Sequence, residues 1–480
     1  MPEKKTRSLK VNAILNVLKQ CCTIVFPLII YPYISRVIGK TNLGRYSFAN
    51  SIIQYFIIFA SVGIPTYAIR ECSKIRDVKN KLNNLTAQLM TINLITMLLS
   101  YSGLILVTIF VPRIREEWIL IAILAINVFA NTFGRDWVNT VFEDFLYITI
   151  RYILFQIISF VCIFLFIKDQ NDYIKYAIIM VLAYSGGYIT NIFYTQKYVS
   201  ISFTNKIDWN KHLKPILLLF SSTLAINIYV NSDITILGFF RPSSDVGVYT
   251  VVSKIYSTVK SLLNAVITVA IPRLSNYYGI GEFKRYNDLL TKLRFSLLTI
   301  IFPAIVGMIS LSKDIMLLMG GSDYVSGTFA LIILSIALFC AVFGCFYTQA
   351  ILIPCNQENI FTIATIISAL TNIGLNFIAV PLWGIYGAAL TTLIAEFFIL
   401  LISFIKSKGY HENFSHKGIV VIGIGCLVVF LACGWVKTLG LSLILEVLLS
   451  VLLSVFAYIV ILVIGKNEIA LAVIKKVRHK

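Results

Sequence analysis

Apolar residues run in long blocks from Val11 to Gly465, and only short polar segments separate them. A helix needs about 20 mostly apolar residues to cross the hydrocarbon core of a bilayer. Windows of that kind fall at 11–35, 43–64, 85–111, 118–138, 146–167, 174–194, 215–238, 246–271, 293–311, 326–353, 360–380, 384–405, 418–439 and 441–465. The pattern predicts an all-α, polytopic membrane protein with about fourteen spans. The first window holds Lys19, Pro27 and Pro32 and lacks a small-residue cleavage site. It reads as a retained helix, interrupted late by its prolines, and not as a signal peptide.

Two stretches repeat. Leu43-Gly44-Arg45-Tyr46-Ser47 opens the second span and Val246-Gly247-Val248-Tyr249-Thr250 the eighth; each leads to an Ile-Pro pair, Ile64-Pro65 and Ile271-Pro272. Proline is expected to end each helix there, and Gly44 and Gly247 to serve turns or packing. An even number of spans separates the copies, so both halves enter the membrane in the same sense. Such a parallel repeat is common in transporters that alternate between inward and outward states. It divides the chain into a six-helix lobe at 1–205, a second at 206–410, and two further helices with a basic tail at 411–480.

Composition narrows the function. The chain is 58% hydrophobic and 13% charged, with a formal net charge of +19. A basic balance suits nucleic acid, but its placement fits topology better, because Lys and Arg concentrate on the cytoplasmic side of membrane proteins. With the N-terminus inside, and residues at span ends counted with the loop they border, 28 of 41 Lys and Arg fall on the cytoplasmic side. They include Lys4, Lys5, Arg7 and Lys10 at the start, and Lys475, Lys476, Arg478 and Lys480 at the end. Both termini are expected to be cytoplasmic, and no nucleic-acid partner is expected. None of the nine cysteines forms a CxxC pair, and His212, His411, His416 and His479 fall in cytoplasmic loops or the tail, so no metal site is indicated. No P-loop is present. No cofactor is expected, and ATP does not drive the cycle directly.

Apart from those counted with the bordering loops, six ionisable residues lie inside the spans: Lys19, Asp233, Lys254, Lys260, Glu396 and Glu446. Each costs roughly 2.5–3.5 kcal/mol at the bilayer centre unless a wet cavity or a partner relieves it. Lys19 reads as a cavity cation or as a residue snorkelling to the headgroups. Asp233 sits on a polar stripe with Asn227, Asn231 and Ser232. Lys254 and Lys260, six residues apart, are expected on one side of their helix, with Lys254 a partner for Asp233 or a member of a structural ion pair. Glu396 is a candidate for proton coupling, with Asp233 and Asn231 as further coupling or gating candidates; Glu446 snorkels. Lys19, Lys254 and Lys260 together predict a cationic cavity suited to a phosphate-bearing headgroup.

A series of short strings stands in order along the chain: Tyr31-Pro32-Tyr33-Ile34-Ser35-Arg36, Gly44-Arg45-Tyr46, Gly63-Ile64-Pro65, Asp136-Trp137 with Glu143, and Tyr147-Ile148-Thr149-Ile150-Arg151. It continues through Asp233, Val246-Gly247-Val248-Tyr249, Pro272-Arg273-Leu274-Ser275, Leu352-Ile353-Pro354 and Gly384-Ile385-Tyr386-Gly387-Ala388-Ala389. On these strings the chain resembles, over residues 9–408, the Wzx-type polysaccharide flippases of the multidrug/oligosaccharidyl-lipid/polysaccharide exporter superfamily. The chain departs from the family pattern at 138–142, where a glycine is usual before the acidic residue that is Glu143 here. The resemblance implies two lobes around a V-shaped cavity in a bacterial plasma membrane, with Arg36, Asp136, Glu143 and Arg273 as family-motif residues. It also implies a flippase, and not an enzyme, that carries undecaprenyl-diphosphate-linked oligosaccharide to the outer leaflet for capsule or O-antigen synthesis. Membrane lipid, a polysaccharide polymerase and a chain-length regulator would be its partners. A cation-coupled multidrug exporter on the same scaffold is the alternative. A membrane glycosyltransferase or polymerase is a third class, disfavoured by the lack of a large extramembrane loop.

Overall fold

The computed structural model describes residues 9–200, 202–411, 418–465 and 467. Lys4, Lys5, Arg7, Lys475, Lys476, Arg478, Lys480, His416 and His479 lie outside these residues, as does the side chain of Lys10. Among the described residues every regular element is helical. The chain divides into two compact units, Met1–Gly247 and Val248–Lys480.

The first unit contains α1 (Leu9–Val37), α2 (Gly39–Ser61), α3 (Ile64–Ser73), α4 (Lys79–Phe110), α5 (Pro112–Arg115), α6 (Trp118–Gly134), α7 (Asp136–Val141), α8 (Phe145–Phe166), α9 (Tyr173–Tyr194) and α10 (Trp209–Phe240). It also takes the first turn of α11 (Ser243–Gly279). The second unit holds the rest of α11, then α12 (Phe283–Ser310), α13 (Ser312–Gly320), α14 (Thr328–Cys345), α15 (Glu358–Trp383), α16 (Ile385–Ser407), α17 (Ile419–Lys437) and α18 (Leu443–Ile464). Among the described residues thirteen segments are long and apolar enough to cross a membrane. They match every predicted window but the seventh, and the 32-residue α10 stands at that place. Leu99, Phe110, Phe193, Leu370 and Phe456 are each more than 60% exposed. In water that surface would drive aggregation; against lipid tails it costs nothing, since lipid is as apolar as leucine.

Proline behaves differently from the expectation. α1 runs unbroken through Pro27 and Pro32, and α11 runs through Pro272. Pro65 does not end a helix but starts α3, in the first turn, where a missing N–H leaves nothing unsatisfied. The break itself comes from Val62 and Gly63, both in the left-handed region at φ 40° and 71°. Membrane helices tolerate interior proline because neighbouring groups re-satisfy the freed carbonyls. The repeat therefore survives as sequence but builds a jointed α2–α3 in one copy and a continuous α11 in the other.

The glycines of the repeat pack as expected. A Cβ on Gly44 would overlap the Ser243 carbonyl, and one on Gly247 would overlap the Lys40 carbonyl. Each glycine thus meets the carbonyl four residues before its counterpart. Close beside this crossing, Arg113 donates from Nε to the Gly238 carbonyl at 2.8 Å and from Nη2 to Ser243 Oγ at 2.8 Å, fixing the α10–α11 corner.

Candidate functional site

In the first unit two buried arginines stand near the point where α6 turns into α7. Arg135 makes that turn at φ 50°, and its side chain is 1% exposed. Its Nη2 donates to the Ile192 carbonyl at 2.9 Å and to Thr195 Oγ1 at 2.8 Å. Asp136, the next residue, accepts from Arg151 Nη2 at 2.6 Å and from Asn191 Nδ2 at 3.1 Å. Arg151 stands on α8, 7% exposed, with its guanidinium 5.5 Å from the Tyr147 ring centre and 5.7 Å from that of Tyr188. Its Nε and Nη1 have no hydrogen-bond partner, and neither have Nε and Nη1 of Arg135. Lys19 on α1 lies over the Tyr152 ring at 5.6 Å and within electrostatic reach of Asp136 and Arg151. Two cations, Lys19 and Arg151, therefore stand around the one carboxylate of Asp136, while Arg135 is turned to α9 and Thr195; the two arginines together keep four buried N–H-bearing atoms uncommitted. Such a site can receive an anion, because charge-assisted bonds to guanidinium are short and strong.

The sequence reading found Lys19 and Asp136 but gave no role to Arg135 or Arg151. Their signal was available: an Arg inside an apolar window, one window end away from Asp136. Both were counted with the bordering loops. Glu143 ends α7 at φ 55°, with the Asp144 N–H bonded back to the Asn139 carbonyl at 2.8 Å. This is the C-terminal cap that glycine usually makes, taken here by Glu143, while 138–142, where the family glycine is usual, show no positive φ. Its carboxylate pairs with Arg76 at 3.1 Å. Beyond it, Asp144 accepts from Tyr194 at 2.6 Å and Tyr198 at 2.8 Å and faces Lys197. Burial pushes its pKa up, but those donors outweigh burial and hold it below the usual value. Arg36 is exposed at the end of α1.

The polar stripe on α10 is real and largely satisfied by its own helix. Asn227 Nδ2 donates to the Thr223 carbonyl, Asn231 Nδ2 to the Asn227 carbonyl, and Thr235 Oγ1 to the Asn231 carbonyl, at 3.0, 3.0 and 2.9 Å. Asp233 is half-buried on the same helix, within electrostatic reach of Tyr55.

In the second unit Lys260 on α11 pairs with Glu396 on α16. Glu396 is buried and also accepts from Tyr256 Oη at 3.0 Å. Two residues given separate roles from the sequence thus form one ion pair. Lys254 does not share that face. Six residues make about 1.7 turns, which sets the two lysines about 120° apart around the helix. The Lys254 ammonium has no ion-pair or hydrogen-bond partner among the described residues. Arg273 is exposed near the end of α11. Between α12, α17 and α18 lies a cavity of about 520 Å³ lined by Ile300, Pro303, Met308, Val429, Val455 and Leu462 among others. Its wall is almost wholly apolar.

Removing one partner of a buried pair strands the other, which typically costs about 3–5 kcal/mol. Lys260→Ala is expected at the lower end of that range, because the lysine keeps 27% exposure while Glu396 keeps 3%. Lys260→Met combined with Glu396→Gln should recover most of the loss. Thermal unfolding in detergent reads both variants, and a single mutant as stable as wild type would show that the pair contributes nothing.

A many-span helical chain that sequesters uncommitted cations in its interior falls in the class of multi-pass membrane transporters. It belongs to the polysaccharide biosynthesis protein family, whose model matches residues 9–278. A second family model, MatE, matches residues 219–378. A relative in Escherichia coli K12, provisionally designated an O-antigen transporter, is 23% identical over 409 residues, covering 84% of this chain and 97% of that one. A Haloferax volcanii protein, provisionally designated the low-salt glycan biosynthesis flippase Agl15, is 26% identical over 171 residues, 36% of each chain. The solved structure of the lipid II flippase MurJ in an inward closed conformation superposes with a TM-score of 0.78 at 18% identity, covering 95% of this chain and all of that one. The fold is therefore that of this solved structure, and the chain is a multi-pass membrane protein of the polysaccharide biosynthesis family.

Proposed function

We propose that the chain moves undecaprenyl-diphosphate-linked oligosaccharide repeat units from the inner to the outer leaflet of a bacterial plasma membrane by alternating access, with both termini cytoplasmic. The observation that carries this reading is the pair of cations Lys19 and Arg151 around the single carboxylate of Asp136, with two donor atoms of Arg151 left uncommitted. A diphosphate brings two negative groups and many acceptors, which match that excess of cations and free donors. Lys254 in the second unit offers another uncommitted ammonium, whereas Lys260 is already neutralised by Glu396. The apolar cavity beside α17 and α18 suits hydrocarbon and not sugar, as a lipid-linked substrate requires. A polymerase and a chain-length regulator are the partners that would consume the product.

The MatE match supports the alternative of a cation-coupled multidrug exporter. Cationic drugs call for acidic interior groups, and the cluster in the first unit has the opposite balance. Deleting the gene and tracking lipid-linked sugars separates the readings. The expected result is accumulation of fully assembled repeat units on the cytoplasmic leaflet. Unassembled precursors would point to an enzyme. Normal lipid-linked units with raised drug sensitivity would point to an exporter.

A further inference from the structure

The sequence reading left His212 in a loop. The structure places it in the first turn of α10, fully buried, where α10 meets α3 and α4. Its Nδ1 lies 2.8 Å from Tyr67 Oη and its Nε2 3.1 Å from Gln88 Oε1. That Gln88 oxygen also accepts the Asp208 backbone N–H at 3.0 Å, while the Gln88 amide nitrogen donates to Asn84 Oδ1 at 2.7 Å. A backbone N–H can only donate, so the amide orientation is settled by its neighbours. His212 Nε2 must then carry the hydrogen, and Nδ1 must accept from the Tyr67 hydroxyl. The network is built for a neutral imidazole.

A second proton can bind only at Nδ1, facing the Tyr67 oxygen. Tyr67 would have to turn its hydrogen away inside a dry cluster formed with Ile64, Ala68, Leu85, Trp137 and Ile216. The positive charge would also sit at the N-terminal end of a helix, the wrong end of its dipole. Lys211 adjoins it, and Arg70 lies over the Tyr67 ring at 5.4 Å. The nearby acids are committed: Asp208 accepts from the Lys211 N–H at 3.2 Å, and Glu71 pairs with Arg70 and Lys74 at 2.8 and 3.0 Å. Cys72 completes the titratable groups on α3, and α4 presents the uncharged Gln88.

We propose that His212 is the proton-binding site of a latch: neutral, it ties α3 to α4 and α10, and protonated, it releases α3. The joint for that release is present, since α3 follows the left-handed pair Val62–Gly63. A histidine held neutral stabilises the closed junction at high pH and loses it as pH falls through the junction's own pKa.

Hydrogen–deuterium exchange on the full chain in nanodiscs, corrected for the intrinsic pH dependence of exchange, tests the proposal. Protection of amides 66–73 is expected to fall severalfold from pH 7.5 to pH 5, as the open form takes up the proton that the closed junction resists. His212→Gln can accept from Tyr67 and donate to Gln88 without titrating, so its protection should stay flat. Tyr67→Phe removes the donor that favours the neutral ring and should move the midpoint to higher pH; it carries the test if the glutamine variant does not fold. Unchanged protection in wild type would overturn the latch. So would an equal loss in His212→Gln, or an unmoved midpoint in Tyr67→Phe.

Discussion

Arg151→Ala is expected to abolish export of surface polysaccharide and to destabilise the protein together. The guanidinium is 7% exposed and holds Asp136 at 2.6 Å, and it supplies two of the free donors in the cluster. Its loss leaves Asp136 without its cation, a change that costs about 3–5 kcal/mol for a fully buried pair. Asp136 keeps 29% exposure, so the lower end of that range applies. Arg151→Lys separates the two effects. Lysine retains the charge that Asp136 needs, but it cannot also present a planar pair of donors to a phosphate. That variant should accumulate to near wild-type level and yet export about 10–100-fold less, the equivalent of losing one charge-assisted hydrogen bond of roughly 1.5–3 kcal/mol. Quantifying surface polysaccharide at matched protein level decides the matter. Wild-type export in both variants would remove Arg151 from the site.

The second large effect is expected at the paired glycines. In Gly44→Ala and Gly247→Ala the new methyl group meets backbone carbonyls, those of Ser243 and Lys40, and neither can rotate aside as a side chain would. Overpacking costs 1–3 kcal/mol where neighbours adjust; with main chain on both sides, about 3 kcal/mol or more is expected for each. Because the two substitutions push apart the same pair of helices, the double variant should lose less than the sum. Gly374→Ala is the control, since no atom lies within 4 Å of its added Cβ. Melting midpoints in detergent should fall by several degrees for the first two and stay level for the control. A Gly44→Ala protein with an unaltered midpoint would mean that the crossing is not as close as described.

What the sequence conveyed and what it withheld divide along physical lines. The spans were legible because lipid imposes one requirement on every crossing segment, a sustained apolar run, and each window found its helix. The repeat made a packing role for Gly44 and Gly247 legible, but not that the two stretches cross each other. Charge partners were not. Glu396 and Lys260 are 136 residues apart, and no local pattern joins them; their pairing exists only once α11 and α16 pack. Arg135 and Arg151 were assigned to loops because they stand near window ends, where a snorkelling side chain and a buried one look alike in one dimension. His212 was misplaced for the same reason, since α10 begins six residues before the apolar window that marks it. The prolines misled because a rule drawn from water-soluble helices was applied to helices with neighbours on every side.

The unbroken course of α11 has a dimensional consequence. Its 37 residues rise to about 55 Å at 1.5 Å each. The oily layer is only about 30 Å thick, and even a lean of 40° lengthens the path to just about 39 Å. At least about 16 Å of this rod must therefore stand clear of the hydrocarbon. Measured from Ser243, the stretch that emerges is the one bearing Pro272, Arg273, Tyr277 and Tyr278. There a missing amide hydrogen can be replaced by water, and a guanidinium can rest among phosphates.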